Sequence, residues 1–328
     1  MSAPVAILAM HADLPARLFD EDASARLAEL VTVLPGLMHE REQASTPVQD
    51  VELMIAGWGA PRLDESVLER MPQLRGVVYT AGSTKGVMTP EAYARGIRIS
   101  TAAGVNAGPV AEFTLAAVLL SGKRVFPIAQ QYRRSREYRP PASRAARWGN
   151  RGLVVGIIGA SRIGRRVIEL LSPFDVHVLL YDPIAEEIPG VERVALDELL
   201  RRSDVVSVHA PENPSTRHMI DRRALALMPD GTTLINTARG SLVDERALVD
   251  ELNAGRLYAV IDVTDPDPPL PDSPLFEAPG LLLTPHIAGS QGNELFRLGD
   301  AAVAEVERFV AGEPFLDDVP EEQVAFIA

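Results

Sequence analysis

The sequence predicts an α/β protein with two doubly wound parallel-sheet domains. Three observations carry this reading. Apolar, strand-like runs alternate with helix-like segments along the chain, which implies parallel sheets with helices on both faces. At 328 residues the chain exceeds what one compact core usually holds, so two domains are expected. In the middle, Leu153-Val154-Val155-Gly156-Ile157-Ile158-Gly159-Ala160-Ser161-Arg162-Ile163-Gly164 joins an unbroken apolar run to a glycine turn and a helix start. A run with no polar break suits a strand buried on both faces.

The elements follow in order. Residues 5–10, 51–57, 76–80 and 97–100 read as strands. Between the last two lies a helix with Thr89 as N-cap, Pro90 in the first turn and Gly96 past the end. Residues 106–122 form an apolar helix (Val110, Phe113, Thr114, Ala117, Leu120), expected to cross from the first domain to the second. Strands resume at 153, then at 176–181, 204–208, 232–236, 257–263 and 281–283. The helix after Asp244 puts Leu248 and Leu252 on one face and stops before Gly255. An amphipathic helix at about 293–310 returns the chain to the first domain. Asp265-Pro266-Asp267-Pro268-Pro269-Leu270-Pro271 reads as a stiff extended loop, because proline fixes φ and prevents helix.

Composition narrows the function. Hydrophobic residues make up 46% and charged residues 23%, as in globular proteins. A net charge of −13 argues against nucleic-acid and anionic-membrane partners. Cysteine is absent, so thiolate catalysis, thiolate metal sites and disulfides are impossible, and a cytoplasmic location is expected. The N-terminus reads as a strand and not as a signal peptide, and no apolar run is expected to span a bilayer. The segment 124–151 holds eight arginines and one acid, Glu137, around Pro140-Pro141; it reads as a solvated or subunit-contacting arm. No residue pattern implies a metal.

The glycine turn suits a dinucleotide. Gly159 opens the tight turn and Gly164 lets the helix approach the strand. The helix start at Ser161, Arg162 and Ile163 offers backbone N–H groups and a positive dipole end to a pyrophosphate. Ser161 replaces the middle glycine of G-x-G-x-x-G, and its hydroxyl is available to a phosphate; Arg162 is expected over the pyrophosphate. Asp182, at the end of the next apolar run, suits ribose hydroxyls and repels a 2′-phosphate, favouring NAD over NADP. Three further strand-end loops carry chemistry: Asn236-Thr237-Ala238-Arg239-Gly240, then Asp262 with Asp265 and Asp267, then Thr284-Pro285-His286-Ile287-Ala288-Gly289. Ligands of open parallel sheets bind beyond such ends.

With these blocks, the segment His209-Ala210-Pro211 and Thr216, the chain resembles the D-2-hydroxyacid dehydrogenase family over nearly its full length. The resemblance implies a Rossmann-like NAD domain, residues 102–292, inserted in a flavodoxin-like substrate domain made of 1–101 and 293–328. It implies reversible hydride transfer between NAD(H) and a small 2-keto or 2-hydroxy acid, by a homodimer. By resemblance, Arg239 holds the substrate carboxylate and polarises the keto oxygen, and its planar fork suits that clamp. His286 is the general acid–base, a role suited to a group titrating near neutrality. A carboxylate orients the histidine: the family usually has glutamate, and here Asp267 matches it, with Asp265 as competitor. The resemblance also places Asp262 at the nicotinamide carboxamide, and His209 and Thr237 along the cofactor cleft. Gly82 and Ser83, in Thr80-Ala81-Gly82-Ser83-Thr84-Lys85, are implied at the substrate carboxylate. Trp58 caps a pocket or packs in a core. The rival reading is an NAD(H)-binding regulatory or scaffold protein of the same fold.

Overall fold

The computed structural model describes residues 3–39, 47–137 and 148–326. The chain divides into two units, one joining Met1–Asn106 to Ser290–Ile327 and the other comprising Ala107–Gly289. Both chain ends therefore share the split unit, and the middle forms the central unit. The borders fall at 106/107 and 289/290, against 101/102 and 292/293 in the sequence reading.

The split unit holds β1 (Val5–Ala9), β2 (Thr32–Met38), β3 (Leu53–Ala56), β4 (Gly76–Tyr79) and β5 (Arg98–Thr101). Their order is β2-β1-β3-β4-β5, and all pairings are parallel. β3 and β4 are buried throughout, as their unbroken apolar sequences require. β2 was missed from sequence because Pro35 and Gly36 interrupt it. Proline cannot donate to a ladder and is tolerated at an edge; β2 is an edge strand whose register with β1 slips between Ala6 and Leu8. The helix Pro90–Ala94 has the expected cap, with the Thr89 hydroxyl accepting from the Ala92 N–H at 3.2 Å. The late helix Leu295–Ala311 buries Leu298, Val303 and Val306 against Leu53, Ile55 and Val78, which ties the C-terminal segment to the N-terminal sheet.

The central unit holds β6 (Leu153–Ile158), β7 (Val176–Tyr181), β8 (Glu192–Arg193), β9 (Val205–Val208), β10 (Thr233–Asn236), β11 (Tyr258–Ile261) and β12 (Leu281–Leu283). They form one parallel sheet in the order β12-β11-β10-β9-β6-β7-β8. The order reverses between β6 and β9, so the loops after these strands flank the crevice where doubly wound sheets bind ligands. β8 was also missed: two exposed residues carry no pattern.

The helix Ala103–Gly122 begins earlier than expected and contains the border between the units. It corrects the reading that no apolar segment reaches membrane-spanning length: at 20 residues it does so by length and composition. Ala111, Ala117 and Val118 nevertheless pack on Leu153, Val155 and Ile157, the packing of a core helix. In the basic segment, Val125–Ser135 is a helix with no buried residue, ending in Arg133 and Arg134. Pro140, Pro141 and three of its arginines lie outside the described residues.

Candidate active site

The glycine turn lies at the sheet's switch point. Gly159 has φ +99°, a backbone state that side chains rarely adopt, and a Cβ there would meet the Ala210 N and the His209 carbonyl at 2.8 Å. A Cβ on Gly164 would overlap the Gly159 carbonyl, so the helix Arg162–Leu171 rests directly on the turn. The Ser161 hydroxyl caps this helix, accepting from the Gly164 N–H at 3.3 Å, and its O–H remains able to donate to a phosphate. The N–H groups of Arg162 and Ile163 have no acceptor within the helix.

Asp182 ends β7 and reaches the same turn. Its Oδ2 accepts from the Ala160 N–H at 2.7 Å, and its Oδ1 from the Ile184 and Ala185 N–H groups at 2.9 and 2.8 Å. The carboxylate thus shapes the turn, and a carboxylate has about four acceptor positions, so capacity for a ribose hydroxyl remains. Arg193 braces this loop, donating to the carbonyls of Asp182 (2.7 Å) and Ala185 (2.8 Å). His209 lies beneath the turn and is buried. Its Nε2 contacts the Ser207 hydroxyl at 2.9 Å, and Nδ1 has no partner among the described residues. Burial pushes its pKa down to about 4, so the ring is neutral. A turn closed to any Cβ, a helix N-terminus resting on it and a buried ring nitrogen without a partner among the described residues fit a dinucleotide.

The three strand-end loops expected to carry chemistry stand beyond β10, β11 and β12. Asn236 builds the first loop, its amide donating to the Arg239 carbonyl (2.8 Å) and its oxygen accepting from the Ala238 N–H (3.1 Å). Arg239 is largely buried and donates to the Ala238 carbonyl at 2.6 Å. Burial pushes its guanidinium below the usual range, while the Glu212 and Asp267 carboxylates act in the opposite direction. It remains cationic, as arginine does in proteins. Thr237 is buried, its hydroxyl 3.1 Å from that of Thr114.

Asp262 is buried at the end of β11 and organises the histidine loop. Its Oδ1 accepts from the Thr284 hydroxyl (2.6 Å) and the Ile287 N–H (2.8 Å), and its Oδ2 from the Ala288 N–H (2.9 Å). The His286 N–H donates to the Asp262 carbonyl at 2.8 Å. This clamp holds His286 at φ +55°, a left-handed backbone sustained only where surroundings impose it.

Asp267 meets the histidine directly: Oδ2 lies 2.6 Å from His286 Nδ1. Asp265, the competitor, instead pairs with Arg217 at 3.0 Å. The shorter aspartate serves because the loop comes to the ring. Gly82 and Ser83 belong to the split unit, after β4. The Thr101 hydroxyl pins that loop through the carbonyls of Ala81 (2.7 Å) and Gly82 (2.5 Å), and the Gly82 and Ser83 N–H groups have no acceptor among the described residues. Trp58 is 42% exposed in the loop after β3, so it packs in no core. Among the described residues no cluster of metal-binding side chains occurs. Sequence reasoning missed Glu212, which accepts from the Ser241 hydroxyl, and Glu245, which accepts from the Asp265 N–H; no local signal marks them, because only the fold brings them close.

Residues 115–288 match the family described as D-isomer specific 2-hydroxyacid dehydrogenase, NAD binding domain. The chain belongs to this family. Its central unit is the family's NAD-binding domain. Among its relatives are D-3-phosphoglycerate dehydrogenase of Mycobacterium tuberculosis (34% identical, covering 88% of this chain and 55% of that protein) and glyoxylate reductase of Thermofilum pendens (33%, 77% and 76%). The chain thus spans about half the length of the phosphoglycerate dehydrogenase relatives it matches. D-lactate dehydrogenase from Aquifex aeolicus, solved with NAD and lactic acid, superposes with a TM-score of 0.75 at 26% identity, covering 94% of this chain and 96% of that one. The family membership agrees with the resemblance drawn from the strand-end blocks.

Proposed function

We propose that this protein is an NAD(H)-dependent oxidoreductase that interconverts a small 2-keto acid and its D-2-hydroxy acid. The observation that carries this reading is the 2.6 Å contact of Asp267 with His286 Nδ1, beside a largely buried Arg239. The nicotinamide, when bound at the switch point, supplies or accepts the hydride. Arg239 holds the substrate carboxylate and faces the charge growing on the keto oxygen. Asp267 occupies His286 Nδ1, which leaves Nε2 to deliver the proton during reduction and to remove it in reverse. The Gly82 and Ser83 N–H groups serve the substrate carboxylate, and Asp182 favours NAD over NADP.

The test mixes protein, NADH and a panel of 2-keto acids and follows absorbance of the reduced nicotinamide. Arg239→Ala should lower kcat/KM by at least about 100-fold, and His286→Ala by roughly 100-fold or more with NADH affinity retained. Parent-like rates in both variants would sink the assignment. NADH binding without turnover on any keto acid favours a regulatory or scaffold protein.

We also propose a cytoplasmic homodimer without nucleic-acid or membrane partners, on the cysteine-free composition and net charge of −13. Exposed Tyr132, Leu270 and Phe276 on the central unit suit a second copy.

A further inference from the structure

We propose that Glu245 is a positioning residue for the Asp267–His286 pair: its carboxylate holds the Asp265 amide and so fixes the loop that carries Asp267 to the imidazole. The inference rests on the reading of His286 as the proton-transfer residue.

Asp267 is one methylene shorter than a glutamate, so the loop itself must be drawn toward the ring. Between 265 and 269 the chain reads Asp-Pro-Asp-Pro-Pro, and the prolines have no N–H. Asp265 and Asp267 carry the only backbone donors of that stretch. The Asp265 N–H donates to Glu245 Oε1 at 2.8 Å. The other restraints are of different kinds. Arg217 meets the Asp265 side chain at 3.0 Å, an exposed pair of small energetic value. The Thr264 hydroxyl donates to the Pro266 carbonyl at 2.8 Å, which shapes the loop without anchoring it elsewhere. Gly240 abuts the Thr264–Asp265 peptide, where any Cβ would overlap the Thr264 carbonyl. Gly240 sets how near the loop lies, and Glu245 ties it there.

The tether is rigid. Glu245 opens the helix Glu245–Asn253, whose N-cap Asp244 accepts from the Ala247 N–H at 3.0 Å and whose Ala247, Leu248 and Leu252 are buried. Burial pushes the Glu245 pKa up, opposed by the Asp265 amide, and the carboxylates of Asp265 and Asp267 add to the rise. A carboxylate stands there against burial and two like charges, with the helix N-terminus and one amide in its favour. Arg239, Gly240 and Glu245 lie within one short segment, so the strand-end that presents the substrate clamp also places the partner of the acid–base histidine.

The experiment measures keto-acid reduction by NADH across pH, and follows the His286 ring titration by NMR, in the full chain. Glu245→Ala should lower kcat roughly tenfold, with KM for NADH within about twofold. The alkaline limb of the rate profile and the His286 titration should both move to lower pH, because an imidazolium with a displaced carboxylate is less favoured. Arg217, Arg239, Glu212, Asp265 and Asp267 remain as the other charges around that ring and loop. Glu245→Gln keeps an oxygen for the Asp265 N–H and should restore both readouts. In an Asp267→Asn background, Glu245→Ala should add little, since both changes act through one contact. If Glu245→Ala does not fold, Glu245→Met, similar in volume and lacking the acceptor, replaces it. A His286 titration unmoved in the acceptor-free variant, or fully additive effects in the double variant, overturns the proposal. A wild-type chain that binds NADH and reduces no keto acid overturns the functional reading instead, while the NMR titration still decides the tether.

Discussion

Asp267 and Asp265 differ by two positions and have the same side chain, yet only one reaches His286. The loop direction makes the choice: Asp267 Oδ2 stands 2.6 Å from Nδ1, and Asp265 turns to Arg217. Asp182 likewise has a structural task, since three backbone N–H groups end on it. Asp182→Ala strands those donors and should cost about 1–3 kcal/mol of stability, together with a several-fold weaker NADH affinity in a fluorescence titration. His209 supplies a pH signature. Its pKa is about 4 in the folded chain against a reference of 6.5. Between those values the unfolded chain takes up a proton that the folded chain refuses, so stability falls as pH drops from 6.5 toward 4 and the term levels off below. The shift corresponds to about 3 kcal/mol. Thermal unfolding across that window should show a flatter pH dependence in His209→Gln than in the wild type; equal slopes would contradict it.

Among the elements, the glycines at strand ends carry most of the site's geometry. Gly164 lets the helix Arg162–Leu171 sit on the turn, and Gly240 lets the Thr264–Asp265 peptide lie against the arginine loop. The two contacts predict different lesions. Gly164→Ala pushes the helix off the turn and should weaken NADH binding while costing about 1–3 kcal/mol of stability. Gly240→Ala displaces the Asp267 loop and should lower kcat by roughly tenfold or more with NADH binding nearly intact. Separate measurement of NADH affinity and kcat distinguishes them, and the same pattern in both variants would refute the division. Elements also show where sequence patterning fails. β2 carries a proline and a glycine that an edge position tolerates, and β8 is two residues long.

At the scale of the whole chain, a central unit interrupts a unit built from both ends. The helix Ala103–Gly122 spans the border; it is apolar enough to pass for a membrane span, yet it contributes Ala111, Ala117 and Val118 to the central core. Exposed Tyr132, Leu270 and Phe276 sit on the central unit of a chain with net charge −13. Light scattering should report twice the 35.5 kDa chain mass, and Phe276→Asp with Leu270→Asp should shift the population toward monomer. A monomer at micromolar concentration would remove the dimer from the proposal.

Patterns within a few residues of each other were legible from the sequence. The apolar run before Gly159 specified a buried parallel strand, Thr89 and Asp244 announced their helices, and the strand-end blocks around Arg239 and His286 marked the family. Those features depend on local backbone preference and on periodic burial, which the order of residues expresses directly. Tertiary structure decided which groups meet across long separations. It chose Asp267 over Asp265, gave Asp262 to the histidine loop and put Glu245 on the Asp265 amide. Such contacts depend on distances of a few tenths of an ångström between segments 19 or more residues apart, and the crossing of strands and loops sets those distances.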